Sequence, residues 1–252
     1  MEYKANRRVE ASARTFAIVE HLSTVDSVGV STLASELEMS KGIMHNHLST
    51  LRELGYVTKV GDEYQLSPKF LAVGLRARSR SKLYHLADGL LNEFAERHEV
   101  GTVLLQAAGN ECCVVAANGV SSTVGVTVGT SLSLTDSLLG LVILVERAAD
   151  ETTPIETAYD LDEIRMSLDE SRYAVGSVST DTALECIALP ITDDTDECRG
   201  SVGILLPSGH HQQRLEQLLE GATSLQERIE TRFSSGWTTE RSFATEKHSW
   251  AE

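Results

Sequence analysis

The fold is decided by residues 28–66, VGVSTLASELEMSKGIMHNHLSTLRELGYVTKVGDEYQL. Apolar residues recur at helical spacing in two short stretches, a tight turn separates the stretches, and a β-prone hairpin sequence follows. Ser31 and Ser40 stand at the starts of the two helical stretches as N-cap candidates, because a serine hydroxyl accepts a hydrogen bond from a free amide of the first turn. Two helices and a wing in this order predict a DNA-reading winged helix-turn-helix.

The second helix is expected to contact the bases. It should begin at Lys41, end before Gly55, and bury one apolar stripe. That stripe consists of Met44, Leu48 and Leu51. A rotation of about 100° per residue turns the opposite side outward. The outward residues are Gly42, Asn46, Ser49 and Glu53, with His45 and Thr50 beside them.

Asn46 is the strongest candidate for base readout, because its amide can both donate to and accept from an adenine edge. Gly42 is a poor helix former, which fits a close approach of the backbone to DNA. Basic residues are the candidates for phosphate contact. They are Arg14, Lys41, Arg52 and Lys59, together with Arg76, Arg78 and Arg80. The alternative is a small helical bundle in which the polar residues of this helix, His47 included, are only solvated.

These motifs resemble the DNA-binding domain of the IclR-type transcription regulators over residues 14–74. The resembling stretches are RTFAIVEHLS, STLASELEMSKGIMHNHLSTLRELGYV and YQLSPKFLAVG. The sequence departs from the family at the reading positions, where Gly42 and Ile43 replace a frequent Ser-Thr pair and Asn46 replaces Arg. The resemblance therefore implies a DNA-binding regulator, but no base preference is carried over.

Charge is divided unequally along the chain, whose 22 basic and 37 acidic residues give a net charge of −15. Residues 1–80 hold 11 basic and 9 acidic residues, and the remainder holds 11 and 28. Basic residues are thus concentrated where nucleic acid would bind. Only 6 of the 22 basic residues are Lys. This composition resembles that of proteins from salt-accumulating halophiles, the alternative being an ordinary acidic domain.

Length and patterning predict an α+β protein with four parts. We expect a winged helix-turn-helix domain over residues 1–74, a linker helix over 75–98 that is broken near 79–81, an antiparallel-sheet sensory (GAF/PAS-like) effector domain over 99–233, and a mobile tail over 234–252. The longest apolar stretch, residues 138–145, is too short for a membrane span, and the N-terminus has no apolar signal core. A cytoplasmic location and no membrane partner are expected.

The resemblance also implies that the linker helps to pair two subunits. A homo-oligomer would set two recognition helices on a near-palindromic operator in double-stranded DNA.

The second domain should form its sheet from several short strands. We expect a hairpin from residues 103–107 and 112–117, and further strands at 123–128, 173–178, 184–191 and 201–206. Helices are expected from about 136 to 149 with Thr135 as the N-cap, after Asp160, and from 212 to 233. This order resembles the effector domain of the same family at GTSLSLTDSLLG, RYAVG, CIALPI and GSVGILLP.

The family's small-carboxylate site can be compared position by position. Its helix start matches at Leu134, Ser137 and Gly140, but Leu138 and Leu139 stand where small residues are usual. Cys186 matches the family cysteine. The acidic position is Gly176, and the two serine positions are Gly203 and Leu205. An anionic effector would lack fixed donors, so we expect a more apolar or reduced pocket.

Other functional classes have weaker support. The residues available for catalysis or metal binding are Cys112, Cys113, Cys186, Cys198, His210 and His211. They form no Cys-x-x-Cys pair and no two His on one helical face, so no enzyme activity, metal or cofactor is expected. A thiol redox switch, a regulator without a ligand that works as a fixed dimer, and a regulator whose second domain binds another protein stay open as alternatives.

Overall fold

The computed structural model describes residues 6–109, 111–120, 126–147, 155–179, 184–206 and 212–235. The chain divides into two compact units, and the boundary along the sequence falls between residues 81 and 82. The tail predicted at 234–252 lies outside the described residues except for its first two positions. Among the described residues, every helix is too short or too polar to span a lipid bilayer.

The first unit is a winged helix-turn-helix. Its elements are α1 (Glu10–Ser23), β1 (Val28–Gly29), α2 (Val30–Glu36), α3 (Lys41–Glu53), β2 (Val57–Val60), β3 (Glu63–Leu66) and α4 (Lys69–Arg78). The helices α1, α2 and α3 close over one core, to which α3 contributes the three residues of its predicted stripe. Gly61, at φ 61°, lies in the turn between the two strands of the wing.

The predicted N-cap at Ser31 is wrong. The helix α2 begins at Val30, two residues earlier than a cap at Ser31 would place it, and its N-cap Gly29 makes no side-chain cap hydrogen bond. The cause is β1, in which Val28 pairs with Tyr64 and Gly29 with Glu63 of β3. Because these pairings hold residues 28 and 29 extended, the chain enters the helix directly from a strand.

The second unit is a six-stranded antiparallel sheet between two helical layers. Its strands are β4 (Gly101–Ala108), β5 (Glu111–Asn118), β6 (Ser131–Ser133), β7 (Ala174–Ser177), β8 (Glu185–Thr192) and β9 (Cys198–Leu205), in the order β6-β5-β4-β9-β8-β7. Its helices are α5 (Lys82–His98), α6 (Leu138–Arg147), α7 (Leu161–Ser171) and α8 (Gln212–Ser234). The helices α5 and α8 cover one face, and α6 and α7 cover the other.

The linker predicted at 75–98 needs a correction. The break near residues 79–81 is present, but only α4 precedes it. Helix α5 buries Leu86, Leu90 and Leu91 against the sheet of the second unit. It is a structural layer of that unit, because its apolar stripe is continuous with the core there.

Two further predictions in the second unit are wrong in detail. Helix α6 begins at Leu138, two residues later than predicted, and Ser137 accepts the amide of Gly140 where Thr135 was expected to cap. Of the strand predicted at 123–128, residues 123–125 lie outside the described part. Residues 126–130 form a turn with Gly129 at φ 94°, and the strand β6 follows it.

Candidate functional site

The recognition helix α3 is fixed at both ends. At its start, the Ser40 hydroxyl accepts from the amide of Ile43 at 3.3 Å. At its end, the Lys69 ammonium donates to the carbonyl of Leu54 at 2.6 Å and lies 4.5 Å from the ring centre of Tyr56. A cation is favourable at a helix C-terminus. Ser40 was predicted from sequence, whereas Lys69 was missed because it lies 15 residues from the carbonyl it contacts.

The outward side of α3 carries the predicted reading residues. Gly42, His45, Asn46 and Ser49, which we call the reading face, are all exposed. His45 Nδ1 lies 3.3 Å from the hydroxyl of Ser49. Within the described part of the chain, no hydrogen bond engages the side-chain amide of Asn46, and a β-carbon added at Gly42 would meet no atom within 4 Å. The face is therefore open to an incoming partner.

His47 is on the same helix but has a structural role. Its Nδ1 lies 2.9 Å from the hydroxyl oxygen of Thr15, which itself donates to the carbonyl of Ala11 at 2.9 Å. This contact joins α3 to α1 and directs His47 away from the reading face. His47 therefore packs between helices and is not merely solvated, as the helical-bundle alternative would have it.

The predicted phosphate contacts differ in availability. Lys41 and Arg52 are exposed near the two ends of α3. Arg14 is paired with Glu10 at 3.2 Å. On the wing, the Lys59 ammonium lies 3.4 Å from a carboxylate oxygen of the fully exposed Asp62. Along and just after α4, Arg76 and Arg80 are exposed and Arg78 is half-buried. On the wing, the positive charge of Lys59 is therefore offset by the neighbouring carboxylate of Asp62.

The second set of predicted residues surrounds the junction of α6 with β7 and β8, which we call the crevice. Ser137 is buried, and its hydroxyl donates to the carbonyl of Ser133 at 2.6 Å and accepts from the amide of Gly140 at 3.1 Å. A β-carbon at Gly140 would lie 2.6 Å from the backbone of Leu134, so only glycine allows this close approach. The chain itself satisfies the hydrogen bonds of Ser137.

Leucine side chains fill the space that the missing polar groups leave. A β-carbon at Gly203 would lie 2.9 and 3.0 Å from the two δ-carbons of Leu139. A β-carbon at Gly176 would lie 3.4 Å from a δ-carbon of Leu138. Leu205 and Cys186 are also buried and face each other across β9 and β8. The large leucine side chains of α6 thus lie directly against the glycines of the sheet.

Tyr159 lies at the same junction and was not predicted. Its hydroxyl donates to the carbonyl of Ser177 at 3.0 Å, and its partly buried ring packs against the α6 side of the core. No sequence signal marked it, since its partner is 18 residues away.

The four cysteines lie in surroundings that keep their thiols protonated. Burial raises the pKa of the Cys112 thiol to about 11, that of Cys198 to about 11 and that of Cys186 to about 12. Burial also raises the pKa of the half-buried Cys113. A redox switch needs an accessible thiolate, so these thiols give the redox alternative no support. Among the described residues, no three His, Cys, Asp or Glu residues are grouped to hold a metal ion; His210 and His211 lie outside them.

The geometry of α2, α3 and the wing defines a winged helix-turn-helix DNA-binding protein. Comparison with known proteins specifies the type: residues 11–61 match the IclR helix-turn-helix domain. The "Probable HTH-type transcriptional regulator ArcR" of Halobacterium salinarum is 22% identical over 89% of this chain and 95% of its own. The HTH-type transcriptional regulator KdgR of Escherichia coli is 26% identical over 73% and 77%.

The whole fold also has a counterpart among solved structures. An IclR homolog from Microbacterium hydrocarbonoxydans, crystallised with 4-hydroxybenzoate, superimposes with a TM-score of 0.69 at 16% identity, over 89% of this chain and 99% of the other. The chain is a DNA-binding transcription regulator that carries an IclR-type helix-turn-helix domain.

Proposed function

We propose that this regulator recognises a near-palindromic operator as a homo-oligomer, with α3 of each subunit in the major groove. The open reading face of α3 carries the proposal. Asn46 would contact an adenine edge, with His45 and Ser49 beside it and Gly42 allowing close backbone approach. Lys41 and Arg52 would contact phosphates on either side.

Substitution of Asn46 tests the reading face. Loss of a bidentate base contact removes about 1–3 kcal/mol of discrimination, which is about 5- to 150-fold in affinity. Genome-wide occupancy would first identify bound sites, and fluorescence anisotropy would then compare Asn46→Ala with wild type on one of them. Asn92→Ala is the matched control, because among the described residues the side chain of this exposed α5 residue bonds to Glu96 on its own helix and to no other group. Equal affinity of Asn46→Ala and wild type would exclude this assignment.

The homo-oligomer is supported by an uncovered apolar surface on α4. Against the described part of the chain, no residue of this helix is fully buried. Leu71 and Leu75, which lie one turn apart on the same face, are 64% and 43% exposed. Because α4 follows the wing directly, a second copy of the chain that covers α4 would bring two DNA-binding domains together. Leu71→Glu should lower the mass measured by light scattering, whereas Val128→Glu, at a similarly exposed site in the second unit, should not.

The crevice supports a narrower statement about effectors. We infer that it does not hold a small carboxylate, because Ser137 is satisfied internally and leucines fill the space over Gly176 and Gly203. Calorimetric titration of the full chain with pyruvate should show no saturable binding. Tight binding that Ser137→Ala abolishes would contradict this inference.

The charge distribution supports activity in concentrated salt in the cytoplasm. Residues 1–80 carry a net charge of only +2, so few phosphate contacts beyond those of Lys41 and Arg52 are expected. Four such contacts in a dimer should give a slope of about −3.6 or shallower when the logarithm of affinity for an identified operator is plotted against the logarithm of KCl concentration. A slope of about −6 or steeper would indicate an ordinary electrostatic binder.

A further inference from the structure

Residues 155–160 form a short segment anchored across the start of α6. The hydroxyl of Thr157 donates to the carbonyl of Thr135 at 2.6 Å and accepts from the amide of Tyr159 at 3.3 Å. The Tyr159 hydroxyl then reaches β7, where it donates to the carbonyl of Ser177. Two side-chain hydroxyls thus hold the segment at two points of the crevice.

The phenol of Tyr159 lies among the groups that close the crevice. Burial raises the pKa of the phenol, and Cys186 is one of its near neighbours. The amide of Leu138 lies close enough to lower the phenol's pKa by hydrogen bonding, and it also donates to the carbonyl of Val178 at 3.1 Å. The ring is therefore held between the first residue of α6 and the end of β7.

We propose that Tyr159 occupies a phenol-sized binding site of the second unit, so that the chain acts as its own ligand there. The side chain supplies an aromatic ring to the apolar cluster and one donor to one backbone carbonyl, as a small phenol would. A small molecule would enter only by displacing Tyr159. This inference goes beyond operator reading and does not depend on it.

The test removes the internal ligand and supplies it from solution. Tyr159→Ala deletes the equivalent of one phenol molecule and leaves a partly exposed space beside the apolar cluster and the carbonyl of Ser177. A space left by a deleted ring can bind a matching aromatic compound. Phenol at tenfold its dissociation constant should raise the thermal midpoint of full-length Tyr159→Ala by about 3 °C or more. Wild type and Tyr159→Phe should not respond, because the ring still fills the site. Tyr173→Ala is the matched control, since that partly buried tyrosine packs on the opposite face of the sheet.

Either result is informative. No phenol-dependent rise in Tyr159→Ala, or an equal rise in Tyr173→Ala or in wild type, would overturn the proposal. Should Tyr159→Ala not fold, Tyr159→Phe gives a second readout, because it removes only the bond to Ser177. Hydrogen exchange in residues 155–160 should then accelerate at least tenfold relative to wild type and to Tyr173→Phe. Unchanged exchange would also overturn the proposal.

Discussion

The close packing of Leu139 against Gly203 predicts how much unfolding free energy substitutions at these two positions cost. In Gly203→Ala, the new methyl group would lie 2.9 and 3.0 Å from the δ-carbons of Leu139 and 2.7 Å from a γ-carbon of Val103, all in a fully packed core. Overpacking of this kind costs about 1–3 kcal/mol. Leu139→Ala alone should cost about 2–5 kcal/mol, because it leaves a cavity at a fully buried position.

The double variant Gly203→Ala/Leu139→Ala should lose less unfolding free energy than the sum of the losses caused by the two single substitutions. Without the δ-carbons of Leu139, two of the three close contacts disappear and the new methyl occupies part of the cavity. The coupling energy should reach about 1 kcal/mol or more in favour of the pair. The assay is urea denaturation of the full chain followed by circular dichroism, with the transition of the second unit fitted separately.

Gly176→Ala serves as the control for this cycle. Its methyl would lie 3.4 Å from Leu138, an ordinary contact, so the variant should be neutral or slightly more stable because the unfolded chain loses freedom. Additivity of the two substitutions at 139 and 203 within about 0.5 kcal/mol would refute the argument that leucine bulk replaces the side chains missing from the sheet.

Three shorter predictions concern the helix cap, the wing and the thiols. Ser40→Ala should destabilise the first unit by about 1 kcal/mol in thermal unfolding, whereas Ser31→Ala, which removes no cap, should stay within about 0.5 kcal/mol; equal effects would argue against the cap. Asp62→Asn should raise affinity for an operator up to about fivefold at 0.1 M salt, measured by anisotropy, because it frees the wing lysine; unchanged or weaker binding would contradict this. At pH 8, alkylation of Cys186 followed by mass spectrometry should be at least about 100-fold slower in the native protein than in urea, with Cys113 the fastest native thiol, since raised pKa values keep thiolate scarce.

The first unit was predictable because its signals are local. The cap at Ser40 and the stripe from Met44 to Leu51 act within one helix, and the structure confirms both. The two-residue strand β1 could not be read from sequence, because its pairing partner Tyr64 lies 36 residues away.

The second unit shows the limit of local signals more clearly. The β-prone Val126 and Thr127 enter a turn, in which the amide of Thr127 donates to the hydroxyl of Thr130. Tyr159 gave no signal at all, since its role depends on contacts with α6 and β7 that only the fold brings together. The glycines at 176 and 203 were noted as missing polar groups, but their match to leucines required coordinates.

Gly42 has a consequence for how new binding specificities could arise. It is exposed as the second residue of α3, and a β-carbon placed there would meet no atom within 4 Å. Replacing glycine within a helix generally stabilises the helix by up to about 1 kcal/mol. A single nucleotide change in the gene could thus alter operator choice without weakening the fold. Because Gly42 also allows close approach to DNA, each new side chain at this position would change operator contacts while leaving the fold intact.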